Sequence, residues 1–371
     1  MKIGFDAKRA FFNRSGLGNY SRDTIAIMSG YFPMNEHILY TPKPGKSKIL
    51  LNRDNITISG PSKFWHKQFP SYWRTFGISD QLVKDKIDLY HGLSNELPND
   101  IDKTKIPSIV TIHDLIFMRY PLLYNSIDRR IYEKKFLYAA QKATKVIAVS
   151  EQTKEDIVEF FKIPESKIEV VYQGCNPIFW NTLSDTQRTE ILMKYAVPER
   201  FILYVGRIEE RKNLLNIVKA LHKAKVDIPL VVIGKPTNYL GKINSFIDSN
   251  KMHNIFFLHN VPTDDLPAFY QKAEMFVYPS LFEGFGIPII EALTSKTPVI
   301  TSRGGCFTEA GGKSSIYIDP ENIDEIASAI RIIVTSSTIR DNMIIDGFVH
   351  AQQFRQEKIA SNMIAVYEKV V

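Results

Sequence analysis

A rhythm constrains this chain more than any other feature: short β-branched runs alternate with amphipathic helical periods from one end to the other. "KIGF", "DLYH", "SIVTIHD", "KVIAVS" and "IEVVYQG" punctuate the first half, and "FILYVG", "PLVVIG", "NIFFLHN", "EMFVYPS" and "TPVITS" the second. Apolar runs this continuous are buried on both faces, as in a parallel sheet covered by helices. The stretches between them supply those helices. In "NLLNIVKALHKAKV" and "ENIDEIASAIRIIVTS" apolar residues recur at three and four, which marks one buried face. A strand reaching Gly174, then Pro177 and the polar "NTLSDTQRTE", separate two such series. A chain of 371 residues also exceeds what one core usually supports, roughly 250–300 residues. The expected class is therefore α/β, with two doubly wound parallel-sheet domains whose strand ends face a ligand-binding cleft.

Composition narrows the function classes. Hydrophobic residues make up 44% and charged residues 23%, a globular balance, and no run approaches the ~20 apolar residues that cross a bilayer. "MKIGFDAK" enters a strand pattern without a signal-type apolar region, so a cytoplasmic protein is expected. Cys175 and Cys306 have no CxxC neighbour, which argues against a disulfide framework or a structural zinc. The net charge of +7 sits almost wholly in one segment: between Thr41 and Arg74, Lys43, Lys46, Lys48, Arg53, Lys63, Lys67 and Arg74 face one acid, Asp54. Within it "KFWHKQFPSYWR" interleaves aromatics with cations, a composition suited to a lipid headgroup surface, a phosphorylated acceptor or single-stranded nucleic acid. Its plain alternative is a basic loop with inward aromatics.

The chemistry-bearing residues fall at strand ends. "FILYV" stops at Gly206, Arg207 leaves its carboxyl end, and Lys212 follows five residues later at a helix start. Two cations beside unpaired backbone N–H groups form an anion clamp; the alternative is a solvated cluster balanced by Glu209 and Glu210. "SLFEGFGIPIIEAL" brackets Gly284, Phe285, Gly286 and Ile287 with Glu283 and Glu291, a close-approach loop between two carboxylates. "TIHD" places His113 and Asp114 at another strand end, and His91 sits beside a glycine turn in "DLYHGLSNELP". In "NRSGLGNYSRDT" Gly16 and Gly18 precede a helix, but even Gly16 lies ten residues past Asp6, too far for a dinucleotide fingerprint. A loop closing over a phosphate or sugar remains, with a plain turn as the alternative. Asp100 and Asp102 in "NDID" sit in a polar loop and read as surface, so no metal site is expected.

With these residues assembled, the sequence resembles the retaining glycosyltransferases of family 4, which have the GT-B architecture. "GRIEERKN" followed by "YPSLFEGFGIPIIEAL" matches the family's GR-x4-KN and Glu-x7-Glu order, and "TIHD" and "SGLGNY" match further positions. "GGCFTEAGGKSSIYIDP" departs from the family pattern by carrying Thr308 before Glu309 and lacking its Asp-Ala-Ala. The resemblance implies an N-terminal acceptor-side domain at 1–178, with helix 355–371 packing back on it, and a C-terminal nucleotide-sugar-binding domain at 179–354. It implies a nucleotide-sugar donor, GDP-linked with a mannose-like hexose favoured, and no separate cofactor. Arg207 and Lys212 would meet the diphosphate, Glu291 the ribose, and Glu283 and His113 the transferred sugar. Gly16, Gly18, Gly206, Gly284, Phe285, Gly286 and Ile287 would line the donor, with Gly16 by the phosphate. Transfer would retain anomeric configuration through an oxocarbenium-like state, the leaving phosphate taking the acceptor's proton without metal. The acceptor would be a saccharide or lipid-diphosphate-linked glycan in cell-surface polysaccharide assembly, with residues 41–74 docking at an anionic inner membrane face and no nucleic acid bound. Three other readings stand beside this one. They are a sugar-nucleotide epimerase of the same fold, a glycosidase using Glu283 and Glu291 as its acid and nucleophile, and a nucleic-acid binder.

Overall fold

The computed structural model describes residues 1–13, 16–43 and 53–371. The chain divides into two compact units, one formed by 1–174 with 356–371 and the other by 175–355. In the first, β1 (Lys2–Asp6), β2 (Glu36–Tyr40), β3 (Ile56–Ser59), β4 (Leu89–Gly92), β5 (Ser108–Ile112), β6 (Lys145–Ala148) and β7 (Ile168–Val170) form a parallel sheet of order β3-β2-β1-β4-β5-β6-β7. The second holds β8 (Ile202–Val205), β9 (Leu230–Ile233), β10 (Ile255–Leu258), β11 (Met275–Tyr278), β12 (Val299–Ser302) and β13 (Ile316–Ile318), ordered β10-β9-β8-β11-β12-β13. Both are the expected parallel α/β sheets. Each reverses its winding once, between β1 and β4 in the first and between β8 and β11 in the second. At such a switch point the loops leaving two neighbouring strands diverge and open a crevice at the carboxyl edge.

The central strands are buried on both faces. Ile3, Phe5, Leu89, Ile109 and Ile147 pack on one side of the first sheet, and Tyr40, Tyr90, Val110, Ile112 and Val146 on the other. In the second unit Ile202, Tyr204, Leu230, Val232 and Val277 meet the helices Leu214–Ala224 and Ile323–Thr335 through Ile217, Val218, Ile326 and Ile330.

Several sequence expectations change. The strand placed up to Gly174 ends at Val170. Gly16 and Gly18 do not precede a helix but form the first turn of one, Gly16–Tyr31, with Gly18 buried against the Asn13 carbonyl. The basic segment loses two of its charges to internal partners. Arg53 donates to the Ala26 carbonyl and to Ser29, while Arg74 is 2.6 Å from both Asp6 and Glu96. Trp73 is fully buried, whereas Phe64, Trp65, Phe69 and Tyr72 are exposed. Lys46 and Lys48 lie outside the described residues.

The helix Gln356–Glu368 packs on Gly16–Tyr31, burying Ile359, Met363 and Val366 beside Ile25 and Met28. Tyr367 lies 2.7 Å from His91 Nδ1, while His91 Nε2 lies 2.8 Å from Thr111 Oγ1, which in turn meets the Tyr20 hydroxyl at 3.0 Å. Burial, with a smaller contribution from His113, holds His91 near pKa 3, so the ring is a neutral structural link. Tyr367→Phe leaves the buried Nδ1 without its partner. It is expected to destabilise the first unit by about 1–3 kcal/mol, measured by urea unfolding.

Candidate active site

Adjacent strands bring two distant sequence motifs together. β8 and β11 pair Ile202 with Met275 and Leu203 with Phe276, so the loops that follow both leave the same point of the carboxyl edge. After β8 the chain turns at Gly206, whose φ of +156° suits glycine. A Cβ there would stand 3.3 Å from Lys212 Cδ, so a larger residue would crowd the lysine stem. A short 3₁₀ turn, Glu210–Lys212, then presents its cations, and Asn213 in the left-handed region starts Leu214–Ala224. After β11, Ser280 and Glu283 precede Gly286, whose φ of +120° reverses the chain into Ile287–Thr294, with Pro288 in its first turn. The Arg211 carbonyl accepts from the Leu281 N–H at 2.8 Å, which ties the two loops together.

Four donors converge on one oxygen. Glu283 Oε1 accepts from Tyr278 and Ser280 hydroxyls, each at 2.8 Å, and lies 2.9 Å from Arg211 Nη1 and 3.3 Å from Lys212 Nζ. Lys212 also donates to the Tyr278 hydroxyl at 2.7 Å. Burial is the largest influence on the carboxyl and raises its pKa. Lys212, Arg211 and the two hydroxyls outweigh it and hold the group at about 2. Glu283 is thus ionised at neutral pH, which removes it as a glycosidase acid. Among the described residues these contacts all fall on Oε1 and none on Oε2.

Glu291 is held separately: it accepts from the Tyr270 hydroxyl at 2.9 Å, and Tyr270 is fully buried on Leu266–Lys272. Arg207 keeps an exposed guanidinium 3.7 Å from Glu209. Lys212, expected at a diphosphate, also pairs at 3.3 Å with Glu283, expected at the transferred sugar. The Phe285 side chain packs on Phe354 with ring centroids 5.6 Å apart. His113 belongs to the first unit. It is 5% exposed, its Nε2–H donates to the Leu93 carbonyl at 2.9 Å, and burial holds its pKa near 4. The sequence reading missed Arg211, Tyr278, Ser280 and the Cys306 thiol, which donates to the Glu283 carbonyl. Arg211 was visible as a second cation in "EERKN", but only the β8–β11 pairing shows that it points at Glu283.

Residues 188–348 match the family described as Glycosyl transferases group 1, and residues 35–178 match Glycosyltransferase Family 4. The chain is a group 1 glycosyltransferase. The glycosyltransferase is 28% identical to O-antigen chain mannosyltransferase B of Escherichia coli over 287 residues, 76% of this chain and 74% of that one. It is 30% identical to O-antigen chain mannosyltransferase RfbU of Salmonella typhimurium over 60% of each chain. Among solved structures it is similar to a glycosyltransferase from Rickettsia africae, with a TM-score of 0.77, 19% identity and coverage of 100% and 98%. The Anabaena HepE complex with UDP and glucose gives a TM-score of 0.77 at 17% identity over the whole of both chains. The glycosyltransferase has the GT-B fold. Among the described residues no helix is long and apolar enough to cross a membrane.

Because the folded Glu283 carboxyl lies below its usual 4.5, its contribution is present above that value and disappears as pH falls towards about 2. Glu283→Gln is expected to be less stable than the parent at pH 7 by on the order of 3 kcal/mol. The gap should narrow as pH falls below about 4.5 and approach closure only near pH 2, as followed by urea unfolding across that range.

Proposed function

We propose that this glycosyltransferase moves a hexose, with mannose favoured, from a GDP-linked donor to a saccharide or lipid-diphosphate-linked acceptor in cell-surface polysaccharide assembly. The observation that carries the donor reading is the Glu283 carboxylate at the β8–β11 switch point. Four donors fix one of its oxygens and leave the other for a sugar hydroxyl. Gly206 and Gly286 let backbone approach closely on either side, and Lys212 stands between Gly206 and Glu283. The mannosyltransferase names of two relatives support mannose.

In this reading Arg207, exposed and weakly paired, closes on the diphosphate, and Lys212 shifts part of its charge from Glu283 to the leaving phosphate. Each such donor contributes roughly 3 kcal/mol to the transition state. Glu291, fixed by Tyr270, accepts from the ribose diol. Configuration is retained, and the departing phosphate takes the acceptor's proton. Cationic side chains meet the phosphate charge, so a metal is not required.

Lys212→Ala is expected to lower kcat by about 10²–10³-fold while donor-free melting shows a folded chain. EDTA is expected to leave the parent rate unchanged. A melting screen of GDP-, UDP- and dTDP-sugars should show stabilisation of about 2.7 kcal/mol by the true donor at a hundredfold excess over Kd. Stabilisation by none, or near-normal turnover of Lys212→Ala, rejects the assignment.

We also infer that the first unit meets an anionic membrane face through Phe64, Trp65 and Phe69, exposed beside Lys63 and Lys67. The buried Arg74 is not part of that surface. Replacing the three rings with Ser should abolish sedimentation with phosphatidylglycerol vesicles without lowering the melting temperature. Unchanged sedimentation removes the idea.

A further inference from the structure

The switch-point rule applies to the first sheet as much as to the second, and the donor reading assigns no role to the charged groups at that crevice. There β1 and β4 are neighbours, with Asp6 closing β1, Lys8 and Arg9 directly after it, and Glu96 four residues beyond the end of β4. Arg74 reaches the same point from a π-helical turn, Trp73–Gly77, a geometry often found at functional sites. It ties the two strand ends together through Asp6 and Glu96, and Lys135 adds a second cation 3.4 Å from Glu96.

Beside this cluster lies a cavity of about 290 Å³ lined chiefly by Lys8, Arg9, Phe12, Arg74, Glu96 and Lys135. That is close to the roughly 300 Å³ at which ligand pockets begin. The charges around it do not balance: Lys8, Arg9, Arg74 and Lys135 oppose Asp6 and Glu96 alone. Both acids are already engaged by Arg74, and among the described residues neither Lys8 nor Arg9 has a carboxylate within ion-pair distance. Burial depresses the Lys8 ammonium pKa, Arg74 adds repulsion, and Asp6 and Glu96 only partly offset the two. Half-buried cations left in this state favour an anion that can replace the missing water. The exposed ring of Phe12 adds an apolar surface to a lining that is otherwise mostly charged.

We propose that this cavity is a subsite for an anionic saccharide, a sugar carrying a phosphate, with Lys8 and Arg9 meeting the phosphate oxygens and Phe12 lying against the ring. Its use as the acceptor's place in transfer rests on the glycosyltransferase reading above; its affinity for the anion does not.

Calorimetric titration of the intact chain with mannose 1-phosphate, and with mannose alone, tests this. Since the donor site also attracts phosphate, each titration is repeated in Lys212→Ala. The sugar phosphate should bind the parent and Lys212→Ala alike, and free mannose should not. Lys8→Gln and Arg9→Gln should each weaken binding about tenfold, Lys8→Arg should restore it, and Lys154→Gln, remote from the cavity lining, should have no effect. The proposal is overturned if Lys8→Gln and Arg9→Gln, melting like the parent, bind as tightly as it does. It is also overturned if only Lys212→Ala loses binding, or if mannose binds as well as its phosphate. Absence of stabilisation by every nucleotide sugar would defeat the donor reading while leaving this result legible.

Discussion

Burying the Glu283 carboxylate at the end of β11 organises the second unit's site. A carboxylate withdrawn from water is tolerated only with charge and hydrogen bonds around it. Arg211, Lys212, Tyr278 and Ser280 supply both, and supplying them fixes the geometry. Arg211 and Lys212 must come from the loop after β8, so β8 and β11 must be neighbours. Gly206 must leave room for the lysine, and the Arg211 carbonyl must hold Leu281 in place. Satisfying this one acid therefore aligns two loops separated by some seventy residues, and it also keeps Glu283 charged at every physiological pH.

Both sheets solve the same problem with similar parts. At each switch point an arginine bridges two acids: Arg211 to Glu209 of its own loop and Glu283 of the loop after β11, Arg74 to Asp6 and Glu96. In both, a lysine stands beside the pair, Lys212 in one and Lys135 in the other. The difference lies in the remainder. In the second unit the acid's cations are mutually engaged, whereas in the first Lys8 and Arg9 are surplus. Equal scaffolds thus present crevices of unlike electrostatic character, a carboxylate oxygen in one and unmatched cations in the other.

Much of the fold was legible because buried parallel strands write themselves as apolar runs. The strands that escaped notice were β2, β3 and β13, "EHILY", "ITIS" and "IYI". β3 and β13 are edges, short and only partly buried, and β2 carries a histidine among its apolar residues, so none shows a long continuous run. Within the site, spacing identified Lys212 and Glu283 but not their pairing. Sequence order says which side chains leave a strand end and not which neighbouring strand end they meet. His91 looked functional for the same reason, since its position beside a glycine turn could not reveal Tyr367 more than two hundred residues away. Arg74 likewise counted as a surface charge until its partners Asp6 and Glu96 appeared.

The contact between His91 and Tyr367 spans 276 positions, and the whole second unit is threaded between them. A ribosome releases residues in order, so the earlier sheet must wait with an unsatisfied imidazole and an uncovered helix flank while a complete second body is made. Only the tail segment ends that wait. Premature termination just before Gln356 would therefore harm the portion synthesised first, leaving the later portion whole.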